Sequence, residues 1–385
     1  MTRTPRPPRA EPVARAAVPG RWGCQVAVLA AALSLWGCSG PPSAAPAVPA
    51  PAAGPVRSGV RPPAPVPDRL PGYPPLPAPA IQRIGGIDYT DARAFFARYG
   101  LKATALQSGH RLRVQDAANV IEFDADQRDA LVNGLIVFLG EPVVARGSAL
   151  FLSKVDAEKL LAPLVQPGRY APLAAPVRTI VLDAGHGAQD SGAVNAPLKI
   201  EEKTFALDVV LRLKPLLEAW GCRVVLTRAN DTFIPLPQRA VIANEARADL
   251  FISVHFNSAP PLVHGTETYF MTPQGQASTQ AEKDKEMIPT LYPGNRLDPL
   301  NALLGYAIHR QVTAQLGSMD RGLKHARYEV LRLVNCPAVL IESGYISSDT
   351  EGRKIATPAY RQKIAEGIAG GVAAYLAQLA GTKRP

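Results

Sequence analysis

Strand-like runs punctuate the second half of the chain: Thr179–Asp183, Arg223–Thr227, Leu250–His255, Gly265–Phe270 and Ala338–Glu342. Helical spacing fills the gaps between them. Over Lys203–Trp220, apolar Phe205, Val209, Leu213, Leu216, Leu217 and Trp220 share one side, and Gly221 can close the helix. Pro215 falls inside that pattern and predicts a kink. Near-continuous apolar strands alternating with helices predict an α/β fold, a mostly parallel central sheet with helices on both faces. Ligands of such sheets bind beyond the carboxyl ends of the strands.

The first half reads differently. Residues 81–168 predict a small α+β N-terminal domain. Its parts are a helix over Asp88–Arg98, strands at Arg111–Gln115, Asn119–Phe123, Leu135–Phe138 and Pro142–Ala145, and a last helix from near Lys154. Residues 40–80 are Pro/Ala-rich without apolar periodicity, as expected of a disordered, semi-stiff linker. The first 39 residues carry an Arg-rich leader (Arg3, Arg6, Arg9, Arg15, Arg21) and the apolar stretch Val26–Trp36, the pattern of a signal peptide. That stretch is too short for a permanent membrane span. Leu35-Trp36-Gly37-Cys38 resembles a bacterial lipoprotein box, which implies a lipid anchor at Cys38; ordinary cleavage and an uncleaved anchor are the alternatives. An exported protein of the periplasm or cell envelope is therefore expected.

Composition narrows the partners. A net charge of +10 favours an anionic partner, either nucleic acid or a wall polymer. No dense Lys/Arg block with interleaved aromatics accompanies it, so no nucleic-acid partner is expected. Beyond the leader only Cys222 and Cys336 remain, without metal-site spacing. Two small buried residues is the simpler reading, and a disulfide between them the other.

Four polar residues stand out against this apolar pattern. His186 lies in the turn Asp183-Ala-Gly-His-Gly187, where the flanking glycines free the backbone and Asp183 is a candidate to orient the ring. Glu201 and Glu202 open the long helix, where acids also simply answer the helix dipole. His255 ends the run Leu250-Phe-Ile-Ser-Val-His255 and Glu342 ends Pro337-Ala-Val-Leu-Ile-Glu342. A buried glutamate must meet a cation, a metal site or water; a salt bridge to Arg239 or a helix cap would be metal-free explanations for Glu342. Two imidazoles and a carboxylate form a donor set that a catalytic zinc favours, and a separate carboxylate could do acid/base work.

The same segments, in order, resemble the zinc-dependent N-acetylmuramoyl-L-alanine amidases, the family-3 peptidoglycan amidases. The resemblance rests on Gly185-His186-Gly187, Glu202-Lys203 with Leu207, Arg239 with Ala243-Asn244, Ser253-Val254-His255-Phe256-Asn257 and Glu342-Ser343-Gly344-Tyr345. It covers residues 177–380, the expected catalytic domain, and departs from the family pattern at Ala188 and Ser343. It implies one Zn2+ held by His186, Glu202 and His255, with Glu342 as the catalytic carboxylate. Glu202 is chosen over Glu201 by its alignment with the helix-start motif. The implied reaction is hydrolysis of the amide between N-acetylmuramic acid and L-alanine of peptidoglycan. An inactive peptidoglycan-binding homologue and a zinc peptidase acting on another wall amide are the alternatives, and an activator or division protein is an open partner. Residues 81–168 resemble the small domain at the N-terminus of copper amine oxidases, which implies a binding or spacer module. The polar stretch from Met271 to about Leu300 is read as a lid or substrate-contacting loop, or an ordinary surface loop.

Overall fold

A computed structural model describes residues 76–107, 110–280 and 285–380. The leader, Cys38 and nearly all of the Pro/Ala-rich linker lie outside the described residues. No described helix is long and apolar enough to cross a membrane.

The first described segment is a meander of short strands: β1 (Ile81–Ile84), β2 (Ile87–Asp91), β3 (Lys102–Leu106), β4 (Arg111–Gln115), β5 (Val120–Asp124), β6 (Asp129–Val132), β7 (Leu135–Phe138), β8 (Val144–Arg146) and β9 (Ala149–Ser153). Helix α1 (Ala92–Ala97) follows β2, and a π-type helical turn at Asp156–Leu161 leads into α2 (Ala162–Val165). The helix expected over Asp88–Arg98 is therefore half strand. Asp91 is its N-cap, accepting a hydrogen bond from the Ala94 amide at 2.8 Å, so the residues before it are left to pair with β1 and β9.

The second segment supplies β10 (Thr179–Ala184), the small hairpin β11 (Val194–Asn195) and β12 (Ile200–Glu201), α3 (Glu202–Glu218), β13 (Arg223–Leu226) and α4 (Leu236–Glu245). There follow β14 (Leu250–Asn257), β15 (Thr266–Met271), α5 (Asp298–Leu316), β16 (Asp320–Ala326), α6 (Glu329–Arg332), β17 (Ala338–Tyr345), α7 (Asp349–Ile355) and α8 (Pro358–Leu379). Helix α3 runs unbroken through Pro215, which sits in its last turn. The amide lost there would have served the carbonyl of Leu211, a residue on the exposed side of the helix.

One sheet of eleven strands spans both segments, in the order β13-β10-β14-β17-β15-β16-β7-β6-β5-β4-β3. From β13 to β17 the strands are parallel; β15 runs antiparallel to β17, and β16 is parallel to β15. The fold is α/β with a mixed, largely parallel centre. Strand β7 pairs with β16 at Val137 and Leu323, so the first segment continues the sheet instead of hanging from it. A separate antiparallel sheet, β1-β2-β9-β8, completes that segment.

Alternation along the strands sorts residues to two faces. Ile180, Leu182, Ile252, Val254, Val339 and Ile341 join the large core beneath α3, α5 and α8. Val181, Phe251, Tyr269, Ala338 and Leu340 join a smaller core that includes residues of α4 and α6. By the same period of two, Asp183, Ser253, His255, Glu267 and Glu342 belong to the smaller face. Both remaining cysteines are free, Cys222 just before β13 and Cys336 just before β17, with two strands between them.

Candidate metal centre and cleft

The carboxyl ends of β10, β14 and β17 bring the expected residues together. His186 follows β10 in a left-handed turn (φ 61°) that is unfavourable for a non-glycine residue. Reciprocal backbone hydrogen bonds between Gly187 and Asp190 hold this turn, at 2.9 and 3.0 Å. The Arg239 guanidinium reinforces it by donating to the His186 carbonyl at 2.8 Å. His255 and Glu342 are direct register partners across β14 and β17.

Glu202, the first residue of α3, reaches across the sheet edge and is nearly fully buried. One carboxylate oxygen lies 3.1 Å from His186 Nε2 and accepts the Ala193 amide at 2.8 Å. The other lies 2.9 Å from His255 Nδ1 and accepts the Phe256 amide at 3.0 Å. Glu201 points elsewhere, accepting from the Ser191 hydroxyl at 3.1 Å. The two imidazoles meet edge-on, with ring centroids 5.1 Å apart.

His186, Glu202 and His255 form a candidate metal site whose donor atoms lie within 4.8 Å of one another. A tetrahedral zinc with bonds of about 2.0–2.2 Å wants donors about 3.4 Å apart, and two imidazoles with one carboxylate are a set it accepts. The surrounding backbone has been kept clear for them. A Cβ on Gly185 would lie 2.3 Å from the His255 ring, and one on Gly192 would lie 2.5 Å from Glu202 Oε2. The residues fit the ion.

Electrostatics separates the two glutamates. Burial pushes the Glu202 carboxyl up, but hydrogen bonds from His186 and His255 outweigh it and hold Glu202 well below the usual carboxylate range. Burial lowers the His186 pKa, while Glu202 and Asp190 raise it to a net value above the ordinary one. Glu342 behaves oppositely. Burial, then the charges of Glu202 and Glu267, push its carboxyl well above the usual range, and Lys324 offsets only part of this. Its Oε2 is buried without a hydrogen-bond partner.

Neither metal-free explanation for Glu342 survives. Arg239 pairs instead with Asp183 at 2.8 Å, and Glu342 lies within a strand, not at a helix start. Asp183 does not orient His186. Thr227, Ser253 and Arg239 take up its oxygens, whereas Asp190 Oδ2 sits 2.9 Å from His186 Nδ1. The i,i+4 spacing within the turn was the available signal for Asp190. His264 and His325 stay outside the centre, bonded to the Leu262 carbonyl and the Thr272 hydroxyl.

Glu267 is a hub that sequence reasoning missed, an acid within the strand Thr266–Met271 and in register with Glu342. It accepts from Tyr345 (2.6 Å), Tyr269 (2.7 Å), Lys324 (2.7 Å), Arg321 (3.1 Å) and Asn257 (3.1 Å). Burial raises its pKa, yet Lys324 and the two phenols bring it below the ordinary value. A depressed folded pKa stabilises above the unfolded value of about 4.3 and ceases to as pH falls through the folded one. Glu267→Gln should therefore lower stability at pH 7 while flattening its loss below about pH 4.5. Urea unfolding at pH 7 and in acid checks this; an acid slope equal to that of the parent protein would count against it.

A cavity of about 610 Å³ opens over the centre, lined by His186, Glu202, His255 and Glu342 together with apolar Phe233, Leu236, Tyr328, Val330 and Leu340. The stretch from Met271 to Leu300 contributes none of its described residues to this lining. It is bracketed elsewhere. Gln276 donates to Ser153 Oγ at 3.2 Å, Arg327 donates to the Gln276 carbonyl at 2.7 Å, and Asn295 donates to the Thr272 carbonyl at 2.8 Å.

An α/β sheet that gathers such a donor set beside a half-buried carboxylate with an unpartnered oxygen defines a metal-dependent hydrolase. Residues 180–374 match the N-acetylmuramoyl-L-alanine amidase family Amidase_3, and the chain belongs to that family. It is 35% identical over 200 residues to the N-acetylmuramoyl-L-alanine amidase LytC of Bacillus subtilis, a match covering 51% of this chain and 35% of LytC. The corresponding amidase AmiA of Escherichia coli is 32% identical over 220 residues, covering 51% of this chain and 76% of AmiA. The solved catalytic domain of the amidase CwlV from Bacillus (Paenibacillus) polymyxa is 33% identical with a TM-score of 0.43, covering 52% of this chain and 99% of that one. The chain thus spans about a third of the length of LytC.

Proposed function

We propose that this chain hydrolyses the amide between the lactyl group of N-acetylmuramic acid and L-alanine in peptidoglycan, with His186, Glu202 and His255 as zinc ligands and Glu342 as the catalytic carboxylate. The observation that carries the reading is the half-buried Glu342, whose buried Oε2 has no hydrogen-bond partner, beside a His–Glu–His donor set in one cavity. When bound, zinc supplies Lewis acidity, polarising the scissile carbonyl and making water a competent nucleophile near neutral pH.

The protein's own groups do the rest. Asp190 fixes the His186 ring through Nδ1, and backbone amides of Ala193 and Phe256 fix Glu202. Glu342, whose carboxyl burial pushes well above the usual range, takes a proton from the attacking water and delivers it to the leaving nitrogen. The water oxygen joins the carbonyl carbon, the C–N bond breaks, and an acid and a free L-alanine amine result.

Residues 1–39 carry the exported location in this reading, and Cys38 would carry a lipid anchor if it is modified. Residues 81–168, for which the likeness to the copper amine oxidase N-terminal domain is retained, carry no chemistry. Digestion of purified sacculi tests the function. New L-alanine amino termini are the expected product. New termini at cross-links would establish a peptidase instead, and binding without release an inactive homologue.

A further inference from the structure

We propose that the cleft reads the two methyl groups flanking the scissile amide on separate apolar walls, Phe233 and Leu236 for the lactyl methyl and Tyr328 for the L-alanine methyl. This rests on the amidase reading above.

Phe233, Leu236 and Tyr328 are large apolar side chains left 37%, 50% and 36% exposed, and all three face the cavity that holds the candidate metal centre. Half-open apolar surface of this kind, gathered around convergent polar groups, marks a ligand wall.

The walls are tied to different strands of the sheet, one to the turn after β10 and the other to β15. The segment before Phe233 is held against the His186 turn. Ala188 donates its amide to Asp231 at 2.7 Å, and a Cβ on Gly187 would lie 2.1 Å from the Thr232 carbonyl oxygen. Leu236 opens α4, whose Arg239 bonds the His186 carbonyl. Tyr328 belongs to the other wall. Its ring packs on Tyr269 with centroids 5.2 Å apart, and Tyr269 donates to Glu267, the register partner of Glu342.

The reaction then fixes the polarity of the substrate. The leaving nitrogen must lie within reach of Glu342, which places the alanine end toward Tyr328 and the lactyl end toward Phe233 and Leu236. The substrate has one methyl on each side of the amide, and the cleft has one apolar wall tied to the His186 turn and another tied to the Tyr269–Glu267 side.

The test uses the zinc-loaded full chain and four synthetic muramoyl peptides, carrying a lactyl or a glycolyl ether and L-alanine or glycine as first residue. The parent enzyme should prefer each methyl-bearing partner by about tenfold in kcat/KM, as one methyl in an apolar pocket gives. Tyr328→Ser should bring the alanine-to-glycine ratio toward one and spare the lactyl-to-glycolyl ratio. Leu236→Ser should do the reverse, and Tyr328→Phe should preserve both. Leu236 is exposed in a first helical turn, so its variant decides the matter even if Tyr328→Ser does not fold. Ratios that move together, that stay fixed in folded variants, or that equal one in the parent overturn the two-wall assignment while leaving the amidase reading intact. Release of no amine from any of the four by the parent overturns the amidase reading, and the walls with it.

Discussion

Glu342→Gln should keep one zinc per chain, keep its fold, and lose at least about a thousandfold in kcat on sacculi, within the range of about 10²–10⁴ that a positioned acid/base group contributes. The substitution preserves shape while removing the only function that the mechanism asks of this side chain. It breaks no hydrogen bond at Oε2, because none is made there. It also removes a charge that burial and the neighbouring Glu202 and Glu267 disfavour, so the thermal midpoint should be equal or higher. Metal analysis, a thermal melt and the rate of new L-alanine termini provide three readouts. A variant that retains more than a tenth of the parent rate would falsify the role given to Glu342. One that loses its zinc would instead make Glu342 part of the metal site.

The centre was largely legible because an apolar run that ends on one polar residue marks a carboxyl edge, and His255 and Glu342 both end such runs. His186 and Glu202 followed from the chain's return to that edge through a short loop. Less could be read where polar residues compete for one another. Asp183 and Asp190 both lie near His186 in sequence, and only the sheet decides between them. Strand alternation turns Asp183 inward, where Arg239, Thr227 and Ser253 consume it, leaving Asp190 beside the ring. Glu267 was hidden for the opposite reason, since its cations arrive from β16, a strand that local pattern does not reveal. Asp320–Ala326 reads DRGLKHA, charged and interrupted by glycine. It is an interior strand only because β7 covers it.

That covering gives the second large effect. Deleting residues 76–173 should leave residues 174–385 poorly soluble or strongly destabilised, because the deleted segment closes the catalytic sheet. Without β7, the long strand β16 becomes an open edge that invites pairing with other chains. Polar groups, most of them buried, would also lose partners made across the junction. Asp320 accepts the Ile136 amide at 2.7 Å, Tyr306 donates to the Val132 carbonyl at 3.0 Å, Lys159 meets the buried Asp298 at 2.8 Å, and Gln276 reaches Ser153. Each such group left unsatisfied costs about 1–3 kcal/mol, less where water can enter, so together they take a large part of the 5–15 kcal/mol that a domain has. The apolar core is shared as well. Phe95, Leu112 and Val137 belong to the same cluster as Leu300, Ile308 and Leu323, and both segments fall within one compact unit. Soluble yield and urea midpoints of zinc-loaded residues 76–385 and 174–385 measure the effect. A shorter chain with the same midpoint and a monomeric elution volume would show that the segment is an appendage, and the expected loss of several kcal/mol would be wrong.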